Sequence, residues 1–309
     1  MRGAGHGNVT NQATTLAPPM APAPLRKPTG RSAAGWLRLV RRAPLSLWLV
    51  LLLGVLALVG PSAAPYNPYQ QRMTPEQVRQ APSAAHLIGT DHLGRDVFTR
   101  VLYGARVSLG VGVAAIVLAV LAGVPLGMLA GYWLGWTDNL IMRSMDALLA
   151  FPPLILAIAL SLVAGTGIAG VILAIGIVSV PIFARLARAS VLQVKSLEYT
   201  EAARALGASH GRVLERHILP NILGPLVVQA SVSCAVAILV EAGLSFLGLG
   251  VQPPEPSWGT MINEGKQFMA QAPWLIFGPG LAIFLSVIAF NFLGDAARDA
   301  LDPTSARTA

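Results

Sequence analysis

Few side chains in this sequence are placed to do chemistry. His86, Asp91, His92 and Asp96 carry metal-ligating groups within one stretch. Their spacing matches no familiar zinc site, and water-facing turn residues account for them as well. His6, His210 and His217 stand apart from them. No G-x-x-x-x-G-K-[ST] phosphate loop, G-x-S-x-G elbow or H-E-x-x-H pair occurs. These residues therefore make no catalytic, cofactor or metal site, and the chain is read as a non-enzyme whose coupling to ATP must be borrowed. Cys234, the single cysteine, lies in an apolar run and reads as a small core residue. Glu241 also lies in an apolar run. An ionisable group inside a membrane span is costly and marks a site by default. Three roles stay open for Glu241: a proton- or cation-sensitive group on a translocation path, a substrate contact, or a structural hydrogen bond.

The surrounding elements explain the scarcity. Of 309 residues, 54% are hydrophobic and 12% charged, against about 25% charged in soluble domains. Much of the surface must therefore face lipid. A bilayer-crossing helix needs roughly 20 apolar residues. Six stretches qualify, near 44–60, 107–131, 147–163, 168–183, 222–247 and 274–293. The third enters through Phe151-Pro152-Pro153, and a Gly-Thr-Gly turn makes the third and fourth a helical hairpin. Gly123, Gly127 and Gly131 give the second span a close-packing face, available to another helix or to a second subunit. Pro125 is expected to bend that span.

The charge of +8 follows the loops and implies no nucleic-acid partner. Arg2, Arg26, Lys27, Arg31, Arg38, Arg41 and Arg42 precede the first span, with no acidic residue among them. Arg185, Arg188, Lys195, Arg204, Arg212 and Arg216 lie between the fourth and fifth spans. Both segments, and both termini, are therefore expected in the cytoplasm, with 184–221 inside and 61–105 outside. Arg185 and Arg188 are expected to snorkel to headgroups. Residues 1–35 read as a disordered tail, 36–105 as an anchor with an outer loop, 106–295 as the core, and 296–309 as a second tail. The first apolar run starts too far into the chain for a signal peptide and reads as an uncleaved anchor.

Within the 184–221 loop, Tyr199, Ala202, Ala203 and Leu206 fall at i, i+3, i+4 and i+7, one face of a helix. Gly207 stands where a helix ends. Ser209 opens a second short helix with Val213, Leu214 and Ile218, and Pro220 leads into the fifth span. Periodicity alone leaves two readings: a connector resting on headgroups, or a helix docking into a partner's groove.

The pattern Glu201-Ala202-Ala203, Gly207, Leu219-Pro220 resembles the signature loop of permease subunits of binding-protein-dependent ABC importers. His217 stands where that pattern has an aliphatic residue, a role that passes to neighbouring Ile218. Residues 86–109, 241–259 and 293–303 are similar to the dipeptide/oligopeptide/nickel branch, in the subunit type with an extra N-terminal span.

The resemblance implies an all-α membrane protein with six transmembrane helices and type I ABC importer permease architecture. It implies a second homologous permease, two ATPase subunits that bind MgATP, an extracytoplasmic binding protein, and a place in the inner membrane. The ATPase would dock on Tyr199, Glu201, Ala202, Ala203, Arg204, Leu206, Gly207, Leu219 and Pro220. The expected activity is import of short peptides by alternating access. Nickel chelates or another small solute remain open as cargo. A stand-alone secondary transporter or channel would need internal repeats and ionisable groups near mid-membrane, of which Glu241 is the one clear acidic case. A membrane-embedded enzyme would need convergent polar residues that the spans lack.

Overall fold

The computed structural model describes residues 44–301; the expected 1–35 tail lies outside them. The helices, in chain order, are α1 (Pro44–Ala63), α2 (Val97–Trp133), α3 (Gly135–Leu149), α4 (Pro153–Ala164), α5 (Ile168–Lys195), α6 (Glu198–Ala205), α7 (His210–Phe246), α8 (Trp258–Gly265) and α9 (Trp274–Leu301). No strand occurs among the described residues. Helices α2, α5, α7 and α9 are long and apolar enough to cross a membrane.

The bundle is organised by glycine. Gly123, Gly127 and Gly131 lie against α5: a methyl group on them would stand 2.7, 2.1 and 2.9 Å from the carbonyl oxygens of Val180, Ala184 and Arg188. Only a missing side chain lets the two backbones approach so closely. This face is thus spent within the chain and is not free for a second subunit. Val111, Ala115, Val171, Phe183, Ala187 and Leu226 continue the main core between α2, α5 and α7. A second core joins α1, α8 and α9 to the start of α2 and the end of α7, around Leu53, Val97, Ile238, Trp258 and Ile283.

Three elements depart from the sequence-based outline. The third span is broken: α3 and α4 meet at 94° across Ala150-Phe151-Pro152. At 1.5 Å per residue, the 12 residues of α4 reach only about 18 Å, short of the ~30 Å hydrocarbon core. Proline explains the break, since Pro153 forces its predecessor out of the helical region, and Pro152 indeed has ψ 130°. The second span starts earlier than expected: the stretch after Asp96 forms the first turns of α2, capped by the Asp96 side chain accepting from the Thr99 N–H at 2.7 Å. The last helix runs to Leu301, so 296–301 extend α9.

The α4–α5 hairpin forms as expected. Gly165 and Gly167 take φ values of 92° and 113°, which L side chains rarely adopt. The Gly167 N–H then donates to the Gly250 carbonyl at 3.1 Å. This fixes one end of the bundle, the cap end, where 64–96 and 247–273 also lie. The opposite end carries 196–209 and is the loop end.

Candidate partner-docking surface

At the loop end, α5 continues well past its expected limit to Lys195, so the segment outside the spans begins only at Ser196. α6 follows, tied back to the end of α5 by Thr200, whose hydroxyl donates to the Val194 carbonyl at 2.9 Å. Thr200 is the one buried residue of this helix. The expected apolar stripe faces outward instead: Tyr199 is 44% exposed and Leu206 89%. Glu201, Ala202 and Arg204 are exposed too, and Ala203 is half-buried. Gly207, at φ 83°, reverses the chain, with its N–H on Arg204 and the Ala208 N–H on Ala203.

The second arm is not a free helix. Ser209 caps it by accepting from the Arg212 N–H. From His210 it then runs without a break to Phe246. Pro220 therefore sits inside a helix rather than at an entrance. A proline ring there clashes with the carbonyl four residues back and offers no N–H. The π-helical stretch Val213–Ile218 relieves this: the Leu219 N–H reaches back five residues to Leu214. Leu219 and Pro220 are half-buried, and Leu219 packs against the main core. The docking residues thus divide into an exposed group on α6 with Gly207 and a half-buried pair on α7. Ile218 is fully buried and fills the aliphatic position, which frees His217 to sit half-exposed with its carbonyl accepting from Asn221.

Arg185 and Arg188 have acidic partners within the chain. Arg188 holds both Asp138 carboxylate oxygens at 2.6 Å, and Arg185 holds Asp146 at 2.6 Å. Together they fasten α3 across α5. The sequence reading missed these acids because Asp138 fell between spans and Asp146 bordered the third. The one available signal was a pair of acids preceding a helix with two arginines. Tyr132 was missed as well. Its hydroxyl shares a hydrogen bond of 2.8 Å with His210 Nδ1, and Lys195 Nζ lies 5.3 Å from its ring centre.

At the cap end, Glu241 is fully buried. The Ser245 hydroxyl donates to its Oε1 at 2.8 Å and accepts from the Val251 N–H at 3.2 Å. Ser108 and Ser257 flank the same carboxyl. Trp258 is 1% exposed, packs on Gly104, and donates from Nε1 to the Val101 carbonyl at 3.0 Å. Ser286 and Asn291 bond carbonyls of their own helix rather than a neighbour.

The four metal-ligand candidates separate into two groups. His86 pairs with Asp96 at 2.9 Å. Asp91 and His92 instead meet Glu264, with ligand atoms within 4.8 Å of one another. Arg95 binds Asp91 at 2.6 Å and Glu264 at 2.7 Å, and Arg100 reaches Glu264 at 3.2 Å. Two guanidinium charges balance the two carboxylates, so the group is an ion-pair network tying the cap loop to α8. Nearby, the Tyr69 hydroxyl donates to Glu255 at 3.0 Å. Partial burial and that carboxylate hold the phenol above its ordinary pKa, so it stays a donor.

Residues 123–307 match the family described as the binding-protein-dependent transport system inner membrane component. The glutathione transport system permease protein GsiD of Pectobacterium atrosepticum is 46% identical over 254 residues, 82% of this chain and 84% of the relative. The dipeptide transport system permease protein DppC of Alkalihalophilus pseudofirmus is 48% identical over 229 residues, covering 74% and 75%. The di/tripeptide transport system permease protein DppC of Pseudomonas aeruginosa is 44% identical over 261 residues, covering 83% and 86%. Among solved structures, an inward-facing MetNI methionine ABC transporter superposes with a TM-score of 0.56 at 18% identity, over 66% of this chain and 96% of that one. An amino acid ABC transporter gives a TM-score of 0.51 at 15% identity, over 64% and 92%. These two likenesses establish a shared fold.

Proposed function

Because the chain belongs to the family of binding-protein-dependent transport system inner membrane components, we propose that it is the permease subunit of an ATP-driven importer of short peptides. One observation carries the cargo. Relatives matched over about three quarters or more of both chains are named for dipeptides, di- and tripeptides, and glutathione, which is itself a tripeptide. The chain spans the cytoplasmic membrane, with the loop end inside and the cap end outside. The basic residues around 185–216 favour that orientation.

In this reading the chain pairs with a second permease, receives peptide from an extracytoplasmic binding protein at the cap end, and binds two ATPase subunits that hold MgATP. The dock comprises Tyr199, Glu201, Ala202, Ala203, Arg204, Leu206, Gly207, Leu219 and Pro220. Leu206 and Tyr199 support it: bulky apolar side chains exposed beyond the spans suit a partner's groove. ATP-driven closure of the ATPases moves α6, and the spans rock to expose the path to the other side. Glu241 acts as a structural tie between α7 and the cap loop, since its side chain reaches no surface of the chain.

The test is uptake of a labelled dipeptide, and of labelled glutathione, by cells with and without the chain. Uptake that depends on the chain is expected for at least one probe; equal uptake of both would overturn the cargo assignment. Deleting 198–207 should abolish co-purification of the ATPase subunits while leaving membrane insertion intact. Retained ATPase in that deletion would overturn the dock.

A further inference from the structure

Tyr132 is the place where three elements of the loop end converge on one side chain. It is the penultimate residue of α2 and is 5% exposed. From α5, Lys195 donates to the Tyr132 backbone carbonyl and sets its ammonium 5.3 Å from the ring centre. From the first turn of α7, His210 brings Nδ1 to 2.8 Å from the Tyr132 hydroxyl, its ring edge-on at 5.6 Å. Trp133 lies 6.3 Å from the same imidazole.

The two arms of the loop are held very differently. α6 has one buried residue, Thr200, tied to the end of α5, and it also packs against the 213–218 stretch of α7. The arm beginning at His210 is rigidly continuous with α7. A displacement of α6 reaches the start of α7 along Gly207–Ser209 and through its packing on 213–218. There it meets the end of α2, which glycine packing locks to α5.

We infer that the Tyr132–His210 hydrogen bond, steadied by Lys195, is the joint that transmits movement of the docking loop to the packed α2–α5 pair. Tyr132 is then a positioning residue: it touches neither ATP nor cargo, and acts by making α7 and the α2–α5 pair turn together. Without the bond, α7 still follows the loop and still packs on α2 and α5 in the core, but its grip on the pair at the loop end is weakened. ATP is then hydrolysed without the matching movement of the spans.

This inference rests on the reading of α6 as the ATPase dock, and the experiment separates the two. The assembled complex with its ATPase subunits, in lipid nanodiscs, is compared with complexes carrying Tyr132→Phe, His210→Ala or both. Two quantities are read: the ATPase recovered per permease, and the fold-stimulation of ATP hydrolysis by loaded binding protein. Tyr132→Phe keeps the ring and loses only the hydroxyl, so it reports even if His210→Ala fails to assemble. The expected result is unchanged ATPase recovery, with stimulation reduced several-fold in each single variant and no further in the double. His210→Gln, which can still bond the hydroxyl, should restore part of it. Unchanged stimulation in Tyr132→Phe, or losses that multiply in the double variant, would overturn the joint. Lost ATPase recovery in Tyr132→Phe would also overturn it, by making Tyr132 part of the dock. Failure of the dock itself shows elsewhere, as ATPase retained by the 198–207 deletion.

Discussion

Arg188 grips Asp138 through two nitrogens, Nε and one Nη, each 2.6 Å from a different carboxylate oxygen. Such a fork is geometrically specific as well as strong, and it holds α3 crosswise on α5 near the turn that follows α2. Asp138 keeps little exposure and Arg188 about a third. The pair therefore ranks between the ~1 kcal/mol of an exposed ion pair and the ~3 kcal/mol of a charged hydrogen bond. Asp138→Ala should lower the thermal unfolding midpoint of the purified protein and expose α3 to protease. Exchanging the two residues should recover part of the loss. An unchanged midpoint in Asp138→Ala would show that α3 is held by other contacts.

The glycine face makes a sharper contrast. At Gly127 a β-carbon would meet the Ala184 oxygen at 2.1 Å, and backbone cannot swing aside. Gly127→Ala should therefore force α2 and α5 apart, at about 1–3 kcal/mol, the range for overpacking. Gly110, on the same helix, has nothing within 4 Å. Gly110→Ala should be neutral or stabilise by up to about 1 kcal/mol, from helix propensity alone. Equal melting of the two variants would mean that the approach at Gly127 can relax.

This contrast shows what the sequence can convey. Gly123, Gly127 and Gly131 announced a close approach, because their spacing is a local property of one helix. Which helix approached was not legible, since partner choice is a tertiary outcome. The same limit explains Arg185 and Arg188: their place at the end of a span was visible, whereas Asp138 and Asp146 reach them only through the fold at Pro152. The apolar stripe of α6 was legible for the same reason as the glycines. Continuity of His210 with Phe246 was not, because proline reads as a boundary, and the π turn that absorbs Pro220 has no sequence signature. Periodicity left dock and connector open, and the family resemblance is what favours the dock.

Glu241 and Ser245 offer a test of role. Glutamine keeps an oxygen where the Ser245 hydroxyl donates, so Glu241→Gln should preserve stability and peptide uptake. Glu241→Ala strands Ser245 in a buried site, and buried polar groups left unsatisfied cost ~1–3 kcal/mol each. The alanine variant should therefore melt earlier and assemble poorly, with uptake falling in proportion to the assembled protein. Normal assembly of Glu241→Gln with lost uptake would instead place the charge itself on the translocation path.

Leu206 separates docking from folding. It is 89% exposed, and surface substitutions away from special features usually change stability by no more than about 0.5 kcal/mol. Leu206→Asp should thus leave the melting of the isolated chain unchanged. A partner's apolar groove would have to bury the new carboxylate without a counter-charge, which costs several kcal/mol. Several kcal/mol is a hundredfold or more in affinity, so the ATPase subunits should no longer co-purify, and ATP-dependent uptake should stop. Leu206→Met, similar in size and apolar, should retain both. A membrane-resting connector behaves differently: the aspartate would weaken contact with lipid and leave the ATPase bound. Undiminished ATPase recovery with Leu206→Asp would therefore decide against the dock and for the connector.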